Sequence, residues 1–315
     1  MNNIDDNNAV PYKEAVLKLP EFLPAMLEEE HGHEYTQKII AGYSNRLVSL
    51  RVNTIKSSAE EIVGVLKDSG IKFKTVSWSN NAFVITNARE KSLWDLDIYK
   101  QGKIYLQSLS SMLPPIALMP KAGADILDMT AAPGGKTTEM AALSNNMAHI
   151  TACEISRVRA EKLKYNLNKQ GTTCVYVMIQ DARRLDDFFS FDQILLDAPC
   201  SGSGTLDINN VKIKTTFTQK LIEKSIALQA ALLKKAIKLL KPGGEMVYST
   251  CSVLSSENEE ILEKMLSDKN IDVIPIQFPG MDELPMLPTK IPGTLSIYPN
   301  SYYEGFFIAR IKKRR

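Results

Sequence analysis

From Tyr12 to about Tyr43 the apolar positions recur at helical spacing, and Leu47 to Thr54 then alternates as a strand does. Ser58 to about Asp68 returns to a helical period, and Lys72 to Trp78 and Ala82 to Thr86 read as further strands. Gln101, Gly102 and Lys103 open a short strand, Ile104 to Leu106, that leads out of this region. The first hundred residues therefore predict a small α+β unit, with a boundary placed at residue 104.

After Gly123 the rhythm changes to apolar strand, loop and amphipathic helix. The predicted strands are Asp125 to Asp128, His149 to Glu154, Cys174 to Ile179, Gln193 to Leu196 and Glu245 to Tyr248. Helices are predicted at Lys136 to Ser144, Ser156 to Gln170 and in a long segment ending at Leu240. Alternation of this kind predicts an α/β, Rossmann-like domain over residues 105 to 315, built on a predominantly parallel sheet with helices on both faces. Ligands of such sheets bind at the carboxyl ends of the strands, so attention falls on what stands there.

The first of these strands runs from Asp128 into Thr130, Ala131, Ala132, Pro133, Gly134, Gly135 and Lys136, a loop of small residues that ends at a helix N-terminus. Its glycines let backbone approach a ligand closely. Glu154 ends the second strand and Asp181 follows the third. Carboxylates at successive strand ends repel a pyrophosphate but accept hydrogen bonds from ribose and adenine, which predicts a nucleoside cofactor with a cationic centre. Gly135, Lys136 and Thr137 match the tail of a P-loop, but Thr130 stands where its leading glycine belongs.

Two cysteines then follow strand ends. The fourth strand leads into Asp197, Pro199 and Cys200, and the fifth into Thr250 and Cys251. Either alone is most simply a small buried hydrophobe; two thiols beside Asp197 and the cofactor loop suggest chemistry. Cys153 and Cys174 complete the set of four, with no C-x-x-C pair, so no metal site and no disulfide scaffold is signalled.

The segments Asp128 to Thr137, Cys153 to Ser156, Gln180 to Arg183, Leu195 to Gly204 and Tyr248 to Ser252 resemble those of the NOL1/NOP2/Sun family of RNA cytosine-5 methyltransferases, of the bacterial or archaeal rRNA or tRNA type. Arg51 to Thr54, Asn258 with Glu259, and Glu304 to Phe307 extend the resemblance from about residue 47 to 312. It implies S-adenosylmethionine as cofactor, bordered by Thr130 to Lys136, Glu154, Asp181 and Asp197, with Lys136 reaching towards the target base. It also assigns the thiols: Cys251 attacks carbon 6 of cytosine and Cys200 assists product release, with Asp197 at the exocyclic amine and ring nitrogen 3. DNA cytosine-5 methyltransferases use the Pro-Cys thiol as nucleophile instead, which leaves Cys251 without a role. A non-catalytic RNA-binding assembly factor of the same fold is the alternative from another class.

The resemblance further implies an RNA-binding N-terminal unit, to which Arg51, Lys56, Lys72 and Lys74 could contribute. Ile208 to Ile222 carries Lys212, Lys214 and Lys220 without an acid, and is either a phosphate-contacting loop or a solvated, mobile one. Asp207, however, is an acid where many relatives are basic. With the chain running to Arg315, substrate choice is expected to fall to the N-terminal unit and the loops. Ribosomal and transfer RNA stand as alternative substrates.

Composition changes this picture little. Of 315 residues, 44% are hydrophobic and 23% charged, the balance of an ordinary folded protein, and a net charge of +2 announces no partner. The Met1 end, with Asp5 and Asp6, lacks a signal-peptide layout, and no apolar run would cross a bilayer, so a cytoplasmic monomer without membrane contact is expected.

Overall fold

The computed structural model describes residues 11–44, 46–267 and 270–315; the stretch holding Asp5 and Asp6 lies outside them. The chain begins with α1 (Tyr12–Lys18) and α2 (Phe22–Ala41), the latter interrupted at Gly32, whose φ of 75° redirects the helix where a side chain would be strained. There follow β1 (Val48–Val52), α3 (Ala59–Asp68), β2 (Phe73–Val76), β3 (Ser79–Ile85), α4 (Glu90–Trp94), α5 (Asp97–Lys100) and β4 (Ile104–Leu106). The four strands form an antiparallel sheet in the order β2-β3-β1-β4. Ser58 caps α3 by accepting from Glu61 N, and Ile62 and Leu66 of that helix pack on Leu50, Val52 and Phe83.

The second sheet is entered through α6 (Leu109–Leu118). Its strands and helices follow as β5 (Asp125–Asp128), α7 (Gly135–Leu143), β6 (His149–Cys153), α8 (Arg157–Gln170), β7 (Val175–Met178) and β8 (Phe191–Asp197). Then come α9 (Ile213–Thr216), α10 (Gln219–Leu239), β9 (Leu240–Thr250), α11 (Glu259–Leu266), β10 (Ile271–Ile274), β11 (Met286–Leu287), β12 (Leu295–Ile297) and β13 (Phe306–Lys313). The order is β11-β12-β13-β9-β8-β5-β6-β7, with β10 on the other half of β13. From β7 to β9 the strands are parallel; β10 to β13 add an antiparallel extension that the hydrophobic pattern had not resolved.

Alternation along the central strands divides the core in two. Ile126, Leu195, Val247 and Ile308 face α6 and α7, whereas Leu127, Ile194, Leu196, Met246, Tyr248 and Phe307 face α10 and α11. The chain builds outward from β5 through β6 to β7, then returns to lay β8 on the other side of β5. That reversal opens a crevice at the carboxyl ends of β5 and β8, where Asp128 and Asp197 stand. Among the described residues no helix is long and apolar enough to cross a membrane.

Two sets of contacts join the N-terminal segments to this sheet. Arg51 is buried: it pairs with Glu139 at 3.7 Å and donates to Gln107 Oε1 and Thr138 Oγ1. Asn53 donates to the carbonyls of Gly102 and Gln170. Residues 51 to 54 are thus a tie between the two sheets, and Arg51, expected at the RNA, is spent inside the protein. Lys56 is likewise engaged, bonding the carbonyls of Gln101 and Lys169, while Lys72 and Lys74 remain exposed.

The other set belongs to α1 and α2, which pack on the segment after Cys200 instead of the small sheet. Leu19, Leu23, Leu27 and Tyr43 bury Ile208, Ile213, Phe217 and Ile222. The segment expected to be a mobile or phosphate-contacting loop is therefore anchored by its apolar residues, with Lys212, Lys214 and Lys220 left on its outer side.

Candidate active site

At the crevice two clefts meet. The first, of about 380 Å³, lies between β4, the loop after β5 and the start of β13; Tyr105, Ser111, Lys136, Glu304 and Phe306 line it. The second, of about 310 Å³, lies over the ends of β6 and β7, with Glu154, Ile155, Asp181, Leu228 and Cys200 in its walls. Thr130, Ala132, Asp197 and Cys251 border both.

The loop after β5 divides its residues between these spaces. Thr130 and Ala132 reach both; Ala131, Pro133, Gly135 and Lys136 border only the first, on the side away from Glu154. Gly134 borders neither and packs on Leu163 of α8, where a Cβ would come within 2.9 Å of the Leu163 side chain. Asp128 is buried and accepts from Thr137 Oγ1 at 2.7 Å. Burial pushes its carboxyl up to about 6, against the pull of the Thr137 and Thr130 donors.

Asp197 and Lys136 face each other across the seam. Lys136 Nζ lies 2.7 Å from Asp197 Oδ2 and donates to Ser111 Oγ, while Asp197 Oδ1 accepts from Ser249. Burial alone would lower the Lys136 ammonium, but Asp197, Cys251 and Asp128 outweigh it and the net shift is upward, so Lys136 stays charged. Cys251 thus lies within reach of a fixed positive charge.

The parallel register of β8 and β9, which sets Asp197 beside Ser249, brings the two loops beyond them together. Cys200 Sγ and Cys251 Sγ are 2.9 Å apart, both as free thiols. Contact with Cys251, then burial, raises the Cys200 thiol well above its ordinary range, so Cys200 keeps its proton. The pair is thereby unequal: one sulfur beside an ammonium, the other held neutral.

Glu257, which the sequence did not single out, fixes both loops. It is fully buried and accepts from Ser201 N and Oγ, Ser252 Oγ and Gln229 Nε2 at 2.5–3.2 Å. Ser203 Oγ bonds Ser252 Oγ at 2.7 Å. Gly204 and Gly305 touch backbone to backbone, Gly305 N donating to Gly204 O at 2.8 Å, and a Cβ on Gly204 would lie 2.1 Å from Gly305 O. The glycines of the Ser-Gly-Ser-Gly204 run and of Glu304–Phe307 are explained by this closeness. Behind Cys251, His31 Nε2 donates to Val253 O and Glu30 accepts from Ser255 N.

In the second cleft, Glu154 is buried, accepts from Ser156 N and pairs with Arg159 at 3.4 Å. Asp181 is gripped by Arg183, whose hydrogen bonds hold its carboxyl below the usual range. Two carboxylates, apolar walls and a third acid at the seam match the chemistry of a positively charged nucleoside.

Comparison with known proteins identifies the family. Residues 115–312 match the family described as 16S rRNA methyltransferase RsmB/F, and residues 19–90 its ferredoxin-like domain. Ribosomal RNA small subunit methyltransferase F of Shewanella sp. (strain ANA-3) is 35% identical over 306 residues, covering 93% of this chain and 62% of that protein. Its counterpart in Aeromonas salmonicida is 36% identical over 84% of this chain and 57% of its own length. The chain thus spans less than two thirds of these relatives. Among solved structures, a methyltransferase homolog protein from Pyrococcus horikoshii shares 32% identity and a TM-score of 0.82, over 95% of this chain and 98% of that one. NSun6 from the same organism, crystallised with SFG, shares 25% identity and a TM-score of 0.84, over 95% and 100%. The central sheet and the small antiparallel unit are the methyltransferase and ferredoxin-like parts of one architecture, and the chain belongs to the RsmB/F family of NOL1/NOP2/Sun methyltransferases.

Proposed function

We propose that this protein methylates carbon 5 of a cytosine in small-subunit ribosomal RNA, with S-adenosylmethionine as methyl donor and Cys251 as nucleophile. The observation that carries the reading is the seam: two clefts of ligand size share Asp197 and Cys251, with a second thiol 2.9 Å from the first. Group transfer needs both ligands to meet at one point.

The second cleft suits the cofactor. Glu154 can accept from the ribose hydroxyls, Asp181 from the adenosine side, and Ile155 and Leu228 offer apolar surface. S-adenosylmethionine supplies its methyl group as an electrophile on a sulfonium sulfur. SFG, present in the Pyrococcus horikoshii NSun6 structure, is an analogue of it.

The first cleft suits the target base, which must leave any stack to enter it. Carbon 5 of cytosine becomes nucleophilic only when carbon 6 is saturated. Cys251 supplies that bond as a thiolate, with the Lys136 ammonium close by. Asp197, oriented by Lys136 and Ser249, is placed to accept from the exocyclic amine and steady charge on the ring. Once carbon 5 carries the methyl group its proton passes to a base, and the electron pair left behind re-forms the C5–C6 double bond and expels the Cys251 sulfur. Cys200 holds a proton beside that departing sulfur, which supports a part in release.

The test is transfer of labelled methyl from S-adenosylmethionine to small-subunit ribosomal RNA from cells lacking the gene, with the product read by mass spectrometry. Label in 5-methylcytosine is expected. Label in another nucleoside, or label in transfer RNA alone, overturns the assignment.

A further inference from the structure

Beside the cleft assigned to the target base lies a third, of about 340 Å³, between β4 and the outer face of α8. Lys162, Tyr165 and Lys169 stand on one face of α8, and Tyr99, Tyr105 and Pro133 close the other side. The two clefts adjoin across Tyr105 and Pro133, which line both. Their common wall is braced by Asn166, which donates to Pro133 O at 2.8 Å and reaches the Tyr105 hydroxyl at 3.4 Å.

The chemistry of this third space differs from that of its neighbours. Tyr165 is 66% exposed, a large aromatic ring with most of its surface in water. Lys169 Nζ sits 3.5 Å from the centre of the Tyr99 ring, and neither Lys162 nor Lys169 meets a carboxylate within salt-bridge distance among the described residues. Among the described residues no acid lines the cleft. The space on the other flank of the target cleft is different: it holds Glu90 and Glu304, and its Arg46 is already paired with Glu304. A polyanion leaving the target cleft is repelled on that side and drawn to this one.

We propose that the cleft between β4 and α8 receives the nucleotide adjoining the target in a single-stranded RNA, its base stacked on Tyr165 and its phosphates facing Lys162 and Lys169. Aromatic rings interleaved with lysines are the means by which proteins hold unpaired nucleotides, and one stack adds affinity with little regard to which base it is. The site would add grip and set the strand's path across Tyr105 rather than read sequence. This inference rests on the first cleft being the target's.

The experiment uses the full chain and a fluorescein-labelled oligouridine carrying one central cytidine, with binding read by anisotropy. Tyr165→Ala is expected to weaken binding about tenfold, within the range of one lost stack, and Tyr165→Phe to retain most of the affinity. Replacing the uridine on one side of the cytidine by an abasic residue should cost the wild type a similar factor and cost Tyr165→Ala little more. Unchanged binding by Tyr165→Ala, or losses that simply add, overturns the proposal. A parallel assay with 5-fluorocytidine at the centre, whose fluorine blocks departure from carbon 5, traps the covalent protein–RNA adduct. An absent adduct in the wild type overturns the target-cleft reading; a trapped adduct with unchanged Tyr165→Ala binding overturns only the stacking site.

Discussion

Lys136 Nζ and Asp197 Oδ2, from the first turn of α7 and the end of β8, form a 2.7 Å salt bridge beside the line where the two principal clefts join. Each orients the other, so neither acts alone. Lys136→Met and Asp197→Asn are each expected to lower single-turnover methyl transfer about 10²-fold or more. The double variant should fall no further than the worse single one. Additive losses in the same assay would show that the two residues serve separate steps.

The thiols predict opposite phenotypes. Cys251→Ala should abolish both methylation and any covalent protein–RNA species on a denaturing gel. Cys200→Ala should still allow attack and accumulate the adduct, because the neighbouring proton that aids release is gone. The reverse pattern would move the nucleophile to the position used by DNA enzymes.

Glu257 gathers four donors on two buried oxygens, so Glu257→Ala takes that acceptor from all four and leaves Gln229 Nε2 only Pro199 O and Ser252 Oγ only Ser203. A loss of about 3–5 kcal/mol is expected, as for a broken buried charge network. In thermal unfolding this is a fall of roughly 5–8 °C. Measured well below the new Tm, kcat should drop as well, since both cysteine loops lose their common anchor. A variant that unfolds early but turns over normally while folded would confine Glu257 to stability.

The pH profile of stability should carry the mark of Glu30. Burial pushes its carboxyl up to about 7, even though the Ser255 amide it accepts from pulls the other way. A carboxyl raised in the folded state favours folding while protonated, so its contribution is full below about 4.5 and is lost as pH rises through 7. Glu30→Gln should therefore melt roughly 2–4 °C above wild type at pH 8 and converge with it near pH 5. Equal Tm differences at both pH values would remove Glu30 from the titration.

What the sequence revealed and what it hid follow from distance along the chain. Strand ends were legible because buried parallel strands are short apolar runs, and Asp128, Glu154 and Asp197 each mark where such a run stops. The meeting of Cys200 and Cys251 followed from the fold class, which makes their strands neighbours. Arg51 was misplaced because its burial depends on Glu139 and Thr138, far beyond any local period, and an arginine on a strand reads equally well as surface. Glu257 was passed over for the same reason, its donors being spread over three segments. The helices α1 and α2 showed their apolar faces but not that the faces belong against Ile213 and Phe217.

The contact between Gly204 and Gly305 gives the order of synthesis a chemical meaning. The loop behind Cys200 can close only against a strand that leaves the ribosome long after it, and Phe306 of that strand walls the target cleft. A nascent chain therefore acquires Glu154 and Asp181, after β6 and β7, well before the wall that Phe306 gives the cleft beside Cys251.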